Sequence, residues 1–498
     1  MKILKTTLLI LLVSATLVSC FDEYLEPVPA ISIDERLAFD TRSRILGQVH
    51  ALYRNFKSGQ YLGGRYLVYN DIKGNDFLNH GGNGVTGLQT WKMEVTPSTN
   101  EVQNCWQQIY IAINGVNVFL EGLDANKEKA MAANQLTEAE YNQYKGEALA
   151  LRGLAYFHLL QLYARPYNEN PNAWGAVLRL TAQKTSADNW KERSTVQETY
   201  DQILSDLNTA ETLLPTKYYN SSGVEVVNPV NDATKTIRIH INTVVAIKTR
   251  VYLHMNDYAN VLAEGNKIAP QSAAPFSATT YVRNGLSATY SAIFATPYTS
   301  NESIFSMPMT ATELPGTQNG MQFYHGYGEY TLNVAHPFWV NNAIIAATDA
   351  RKAITGFGTG SNSAKRQLRK FTSLENWVPV IRYAEVLLNI AEAEARVNGV
   401  NARAVALLNA VYIRSNSAAT PYVVGDFATA DAFVTRLMRE RQIEFIGEGI
   451  RNMDICRTLS SFPPKGTVLL PTDITSSQYV WPIPQSEINT NLLIQPNP

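Results

Sequence analysis

The chain of 498 residues is short of cysteine and histidine, with three of the first and seven of the second. The histidines are scattered. There is no His-Glu-x-x-His pair and no Cys/His cluster at zinc spacing, which excludes the common zinc hydrolases and zinc ribbons. No Gly-x-Ser-x-Gly elbow is present. The glycine-rich "HGGNGVTG", residues 80–87, lacks the Lys-Ser/Thr that makes a phosphate loop. Net charge is also missing: 42 basic and 43 acidic residues leave −1, so nothing in the composition points to nucleic acid. After the first twenty residues no stretch approaches membrane-spanning length without charges. No EF-hand loop occurs, and no cofactor or metal site is expected, although loop carbonyls and carboxylates could still hold a structural calcium.

What is present begins at the N-terminus. Lys2 and Lys5 precede an apolar run, Leu8–Val18, too short to cross a bilayer. This is the pattern of a secretory signal, residues 1–19. Leu17-Val18-Ser19-Cys20 resembles the lipobox of bacterial lipoproteins, in which the cysteine is lipidated and becomes the new N-terminus. The alternative is an ordinary signal with an incidental cysteine. Asp22, Glu23 and Glu26 resemble the surface-export signals of Bacteroidetes lipoproteins, so an outer-membrane, lipid-anchored, outward-facing protein is expected. The other two cysteines, Cys105 and Cys456, read as buried free thiols.

Helical periodicity dominates the rest. Ile45, Val49, Leu52 and Phe56 recur at steps of three and four, as do Trp106, Ile109, Ile113 and Val116. Further helices are predicted over 144–163, 195–213 with Ser194 as N-cap, 242–255, 258–266, 382–397, 402–414 and 431–445. Alanines mark close helix crossings, and the pairs resemble tetratricopeptide hairpins, which bury their core against neighbours. Two stretches break the pattern. Residues 69–87 form a polar, glycine-rich excursion. Residues 270–380 are rich in Ser, Thr, Asn, Gly and aromatics, with short strand-like pieces such as 303–307. Irregular segments on a rigid frame are where binding usually sits. His158 and Trp106 lie on apolar helix faces and read as core.

Two charged stretches, "IRYAEVLLNIAEAEA" from residue 381 and "MRERQIEFIGEGIRNMDICR" from residue 438, read as buried ion networks bracing helix ends rather than catalysts. Paired carboxylates for glycoside cleavage have no fixed sequence spacing, and nothing singles out such a pair.

These stretches, with "GEALALRGLAYFHLLQLYARPY", "RSTVQETYDQILSDLNTAETLLP", "TVVAIKTRVYLHMNDYANVLAEGN" and the C-terminal "VWPIPQSEINTNLLIQPNP", resemble the SusD/RagB family of outer-membrane nutrient-binding lipoproteins. The match runs over nearly the whole chain and in the family's order. It departs after Tyr163, where the family's usual Gly-Asp/Gly-Val-Pro loop is replaced, and at the C-terminus, where a Gly-Tyr tail is missing. The resemblance implies a mainly α, SusD-like fold: tetratricopeptide-like hairpins framing an irregular, loop-rich ligand-binding part. It implies one mature unit, residues 20–498, with an N-terminal part to about 215, a C-terminal part from about 216, and a loop-rich insertion over about 270–380. It further implies a non-enzymatic lid on a SusC-like TonB-dependent transporter that captures an oligosaccharide, or, in the RagB branch, an oligopeptide. A surface glycosidase or a bare repeat scaffold is a distant third reading.

Sugars offer apolar C–H faces and hydroxyl rims, so rings with Asp, Asn or Arg beside them are the candidate contacts. Asp76, near where the family often places a ligand-contacting acid, goes with Trp91. Tyr324, Tyr327 and Trp339 form a second group, with Gly326 and Gly328 suggesting a loop. Lipidation assigns a sharp test: Cys20→Ala should release the protein from membranes. A variant that still sediments with outer membranes in cells lacking the transporter would contradict the anchor.

Overall fold

The structure, a computed structural model, describes residues 37–219, 224–226, 229–326, 328–333, 346, 348–358, 363–465 and 469–497. Fourteen α-helices fall within them. The first six are α1 (Arg42–Phe56), α2 (Arg65–Ile72), α3 (Leu88–Lys92), α4 (Asn100–Ala132), α5 (Glu138–Tyr163) and α6 (Val196–Leu213). Then come α7 (Thr234–Ile237), α8 (Ile241–His254), α9 (Tyr258–Ile268), α10 (Tyr383–Asn398) and α11 (Ala402–Ser415). The last are α12 (Ala430–Glu444), α13 (Arg451–Arg457) and α14 (Gln485–Thr490).

Local chemistry explains where the frame helices start. Thr137 accepts a hydrogen bond from the Glu140 N–H, while Glu140 Oε2 accepts from the Thr137 N–H at 2.9 Å; α5 thus opens on a capping box. Thr195 and Glu198 do the same for α6, one residue beyond the expected cap Ser194. The expected helices all form. Successive helices pack side by side in the order α1, α4, α5, α6, α8, α9, α10, α11. Small residues allow the close crossings. A Cβ on Gly265 of α9 would lie 2.4 Å from Cγ1 of Ile390 on α10, so only glycine fits. Such a stack buries a continuous core along its length.

Among the described residues the strands are few and short. They are β1 (Phe77–Asn79), β2 (Ser303–Met307), β3 (Tyr330–Leu332), β4 (Thr355–Phe357), β5 (Arg366–Leu368) and β6 (Val378–Arg382). They make three antiparallel pairs, β1 with β3, β2 with β6 and β4 with β5. The polar excursion expected over 69–87 is corrected in its first part. Residues 69–72 complete helix α2, which is buried throughout, and Lys73, Asn75 and Asp76 are buried after it. Composition misleads there because Asn70, Asp71, Lys73 and Asp76 are paired inside the protein. Cys105 and Cys456 are free and buried. His158 is buried and shares a 2.7 Å hydrogen bond with the Tyr61 hydroxyl.

The charged stretches assemble in the interior. Arg382, at the end of β6, reaches Glu448 through Nε at 2.7 Å, Glu444 at 3.1 Å, and Glu302. Arg414 of α11 bridges Glu302 at 2.8 Å and Glu444 at 2.5 Å. Arg351 binds Asp349, Glu440 and Glu444. Lys370 completes Glu448 at 2.6 Å, and Arg436 completes Glu440 at 2.7 Å. Five cations therefore meet five carboxylates. The Phe445 ring lies 5.0 Å from the Arg382 guanidinium. A second knot joins Arg441 and Arg457 to Asp454, and Arg457 to Glu392. A third pairs Arg250 of α8 with Glu385 of α10 at 2.6 Å.

Burial pushes the Glu444 carboxyl up, but Arg414, Arg382 and Arg351 outweigh it and bring it down to about 2. Its folded value lies below its ordinary 4.5, so its stabilisation is present above pH 4.5 and is lost as pH falls toward about 2. Glu444→Gln leaves three guanidiniums short of a partner and should cost about 3–5 kcal/mol at neutral pH. In denaturant titrations the gap between this variant and the natural protein should narrow in acid. A gap that does not change with pH would contradict the assignment.

Candidate functional site

The irregular face is organised around β1 and β3, paired with Phe77 opposite Leu332 and Asn79 opposite Tyr330. The loop 80–87 leaves β1 and is tied back to the turn before β3. Thr86 Oγ1 donates to Glu329 Oε1 at 2.7 Å, the His80 N–H donates to the Glu329 carbonyl, and Tyr330 donates to the Thr86 carbonyl at 2.9 Å. Gly81 passes directly beneath Glu329, where a Cβ would lie 2.6 Å from Oε1. The rim of this loop, His80 to Gly82 with Gly84 and Val85, is exposed.

Behind the ribbon a polar cluster converges on Asp76. Gln442 of α12 donates to Asp76 Oδ1. Arg451, at the start of α13, holds its Nε 3.6 Å from Asp76 Oδ2. The Asp76 carbonyl accepts from the Asn333 N–H at 2.8 Å, and Asn333 Nδ2 donates to the Asn75 carbonyl at 3.2 Å. The side-chain oxygens of Asn75 and Asn333 and the Arg451 Nε are buried without a hydrogen-bond partner. Buried polar atoms are nearly always satisfied, by protein, water or ligand. An acceptor-rich group with one guanidinium suits hydroxyl recognition. Among the described residues, no group of three or more His, Cys, Asp or Glu side chains is arranged to hold a metal ion.

The expected ring platform is corrected in two places. Tyr324 is fully buried, donates to the Gln318 carbonyl at 2.9 Å and stacks on Tyr330 with centroids 6.1 Å apart. Trp91 is also buried. Its Nε1 donates to the Phe77 carbonyl at 2.9 Å, and the Lys465 ammonium sits 5.6 Å from its ring. Both rings hold the ribbon from below, and neither offers a free face. Asp76 is equally buried, inside the cluster rather than at the rim. Tyr327, Trp339 and Cys20 lie outside the described residues. Sequence reasoning missed Gln442, Arg451 and Asn333 as neighbours of Asp76. Arg451 was visible as a charge in "GEGIRN", but its partner lies far away along the chain.

The comparisons with known proteins decide the family. Residues 23–234 match the family described as "Starch-binding associating with outer membrane", and residues 351–498 match the SusD family. A SusD superfamily protein from Bacteroides fragilis, solved by crystallography, is 32% identical. It superposes with a TM-score of 0.79 over 92% of this chain and 100% of its own. The chain belongs to the SusD/RagB family. A SusD-like carbohydrate binding protein from Bacteroides vulgatus shares the fold at 20% identity, with a TM-score of 0.72 over 91% of this chain and 97% of its own. SusD-like protein P2 of Formosa agariphila is 22% identical over 100% of this chain and 99% of its own length. SusD-like protein P38 of the same organism aligns over 52% of this chain and only 43% of its own length, at 24% identity. In this SusD-family chain the mainly α frame is the one the resemblance implied, and the polar cluster lies on its irregular side.

Trp91→Phe keeps most of the ring but leaves the buried Phe77 carbonyl without its donor. It should destabilise the protein by about 1–3 kcal/mol in chemical denaturation. Unchanged stability would contradict the pinning role.

Proposed function

We propose that this protein captures oligosaccharides at the cell surface and delivers them to a SusC-like TonB-dependent outer-membrane transporter. Lipid on Cys20 tethers it to the outer membrane. The reading is carried by the family match over both ends of the chain. It is supported by the carbohydrate-binding relative of the same fold. No helix among the described residues is long and apolar enough to cross a membrane, so an anchor of another kind fits the family's association with the outer membrane.

On this reading the β1–β3 ribbon is the floor of the capture face. Arg451, whose side chain is partly exposed, meets hydroxyls, Asp76 holds Arg451 in place, and Tyr327 and Trp339 supply ring faces for the C–H sides of the sugars. Aromatic contacts are the main apolar term available to so polar a ligand. On this reading the protein acts by binding.

Calorimetric screening of neutral oligosaccharides against the purified protein tests this. A ligand should be found, and Tyr327→Ala and Trp339→Ala should each weaken it by about tenfold, roughly 1.4 kcal/mol. Folded protein that binds no saccharide, but does bind oligopeptides, would replace the reading with peptide capture.

A further inference from the structure

A cavity of about 600 Å³ opens between α4, the segment 179–191 and α14. The volume lies in the range of small-molecule and oligosaccharide sites. Its lining is unusual in composition. Asn100, Gln103, Asn104, Gln107 and Asn114 all lie along it on α4. Their spacings of three, four and seven place them on one helix face. From Asn100 through Gln103 and Asn104 to Gln107 they repeat about every 5.4 Å of helix, the scale of one sugar ring, while Asn114 lies two turns further on with its amide committed to the Gln183 backbone. Gln183 and Asn189 line the facing wall. Apolar side chains alternate with them: Trp106, Tyr110, Ile111 and Ile113 of α4 also line the cavity, and Ile111 is 45% exposed at the rim.

The walls are set before any ligand arrives. Tyr110 donates to the Val177 carbonyl at 3.0 Å, and its oxygen accepts from the Val177 N–H. Asn114 pairs with the Gln183 backbone in both directions, at 3.0 and 2.7 Å. Asn491 does the same for Lys191, at 2.8 and 2.9 Å, and so ties the segment to the end of α14. A site fixed in advance pays little ordering entropy on binding.

The charge selects the ligand class. The lining holds one cation and one anion, Arg179 and Glu487, 3.9 Å apart. Arg179 also donates to the Gln183 side chain and to the carbonyls of Asp188 at 2.8 Å and Asn189 at 2.7 Å, so three of its five N–H donors are committed within the protein and Glu487 balances its charge. Two walls are helical, with backbone groups already bonded, so no strand edge is available for an extended peptide. Amides along one helix face, the two rings of Trp106 and Tyr110 and no net charge suit a neutral, hydroxyl-rich chain. We infer that this cavity is a second saccharide site, separate from the β1–β3 face, that holds a neutral oligosaccharide along α4. The ligand class rests on the proposed carbohydrate role; the location does not.

Hydrogen-exchange mass spectrometry on the full chain tests the site. The probes are maltohexaose, cellohexaose, xylohexaose and mannohexaose, with a neutral Gly/Ala hexapeptide beside them, each at millimolar concentration. At least one hexasaccharide should protect amides in both 100–114 and 179–191. Gln107 is exposed, so Gln107→Ala should fold normally and weaken that binding by about tenfold. Ser486→Trp, at the α14 edge of the cavity, should abolish the protection, whereas Tyr327→Ala should leave it unchanged. Protection confined to 79–93 and 321–333 would overturn this site while keeping the proposed function. Protection of 100–114 by the hexapeptide alone, protection that survives both cavity variants, or no protection there by any probe would also overturn it. No binding of any saccharide anywhere would remove the proposed function as well.

Discussion

Arg382 is the constraint on which the C-terminal half depends. A guanidinium taken out of water must be matched by carboxylates in fixed positions, because the desolvation cost is recovered only with good geometry. Here the matching carboxylates come from three places in the chain, Glu302 before β2, Glu444 at the end of α12 and Glu448 in the turn beyond it, and each is shared with a second cation, Arg414 at the end of α11 or Lys370 between β5 and β6. No one of these segments can shift without exposing an unpaired charge to a low-dielectric interior. The network adds less to net stability than its size suggests, since an apolar core of the same volume could do as well. What it supplies is one permitted arrangement of strand, helices and turn.

That arrangement reaches the irregular face through the turn after Glu444. Gly447 and Gly449 both have positive φ, and the Gly449 N–H donates to Asp71 at the end of α2. A Cβ on Gly449 would lie 2.8 Å from the Leu67 backbone, so α2 and the turn meet at the closest distance the chain allows. Arg451 follows two residues later and faces Asp76. The same stretch that neutralises Arg382 therefore also positions the cation of the candidate site. Lys465 pins the other side, donating to the carbonyls of Ile72 and Trp91.

The frame was largely legible in the sequence because helices announce themselves locally, through periodicity and caps. The step from Ser194 to Thr195 shows the usual limit, since both residues can cap and each has a capping-box partner three positions on, Gln197 or Glu198; the Thr195–Glu198 pair is the one that forms. The charged stretches were also legible as braces, because so many ions of both signs near apolar helix faces have few other uses. The site was less so. Tyr324 and Trp91 sit among glycines and polar residues, which is the composition of a loop. Their burial depends on Gln318, Phe77 and Lys465, whose proximity is set by tertiary structure. The amide ladder on α4 was present as a spacing, but it signifies a site only once 179–191 closes over it.

A rigid, ion-braced frame carries a separate, less constrained face, the candidate binding face. Native-state hydrogen exchange of the unliganded protein tests it most directly. Amides of β6, the first half of α10 and the last half of α12 should exchange only through global unfolding, while those of 79–87 exchange through local opening at far lower cost. If the β6 and α12 amides exchange as readily as the loop, the network does not hold the frame and the account fails.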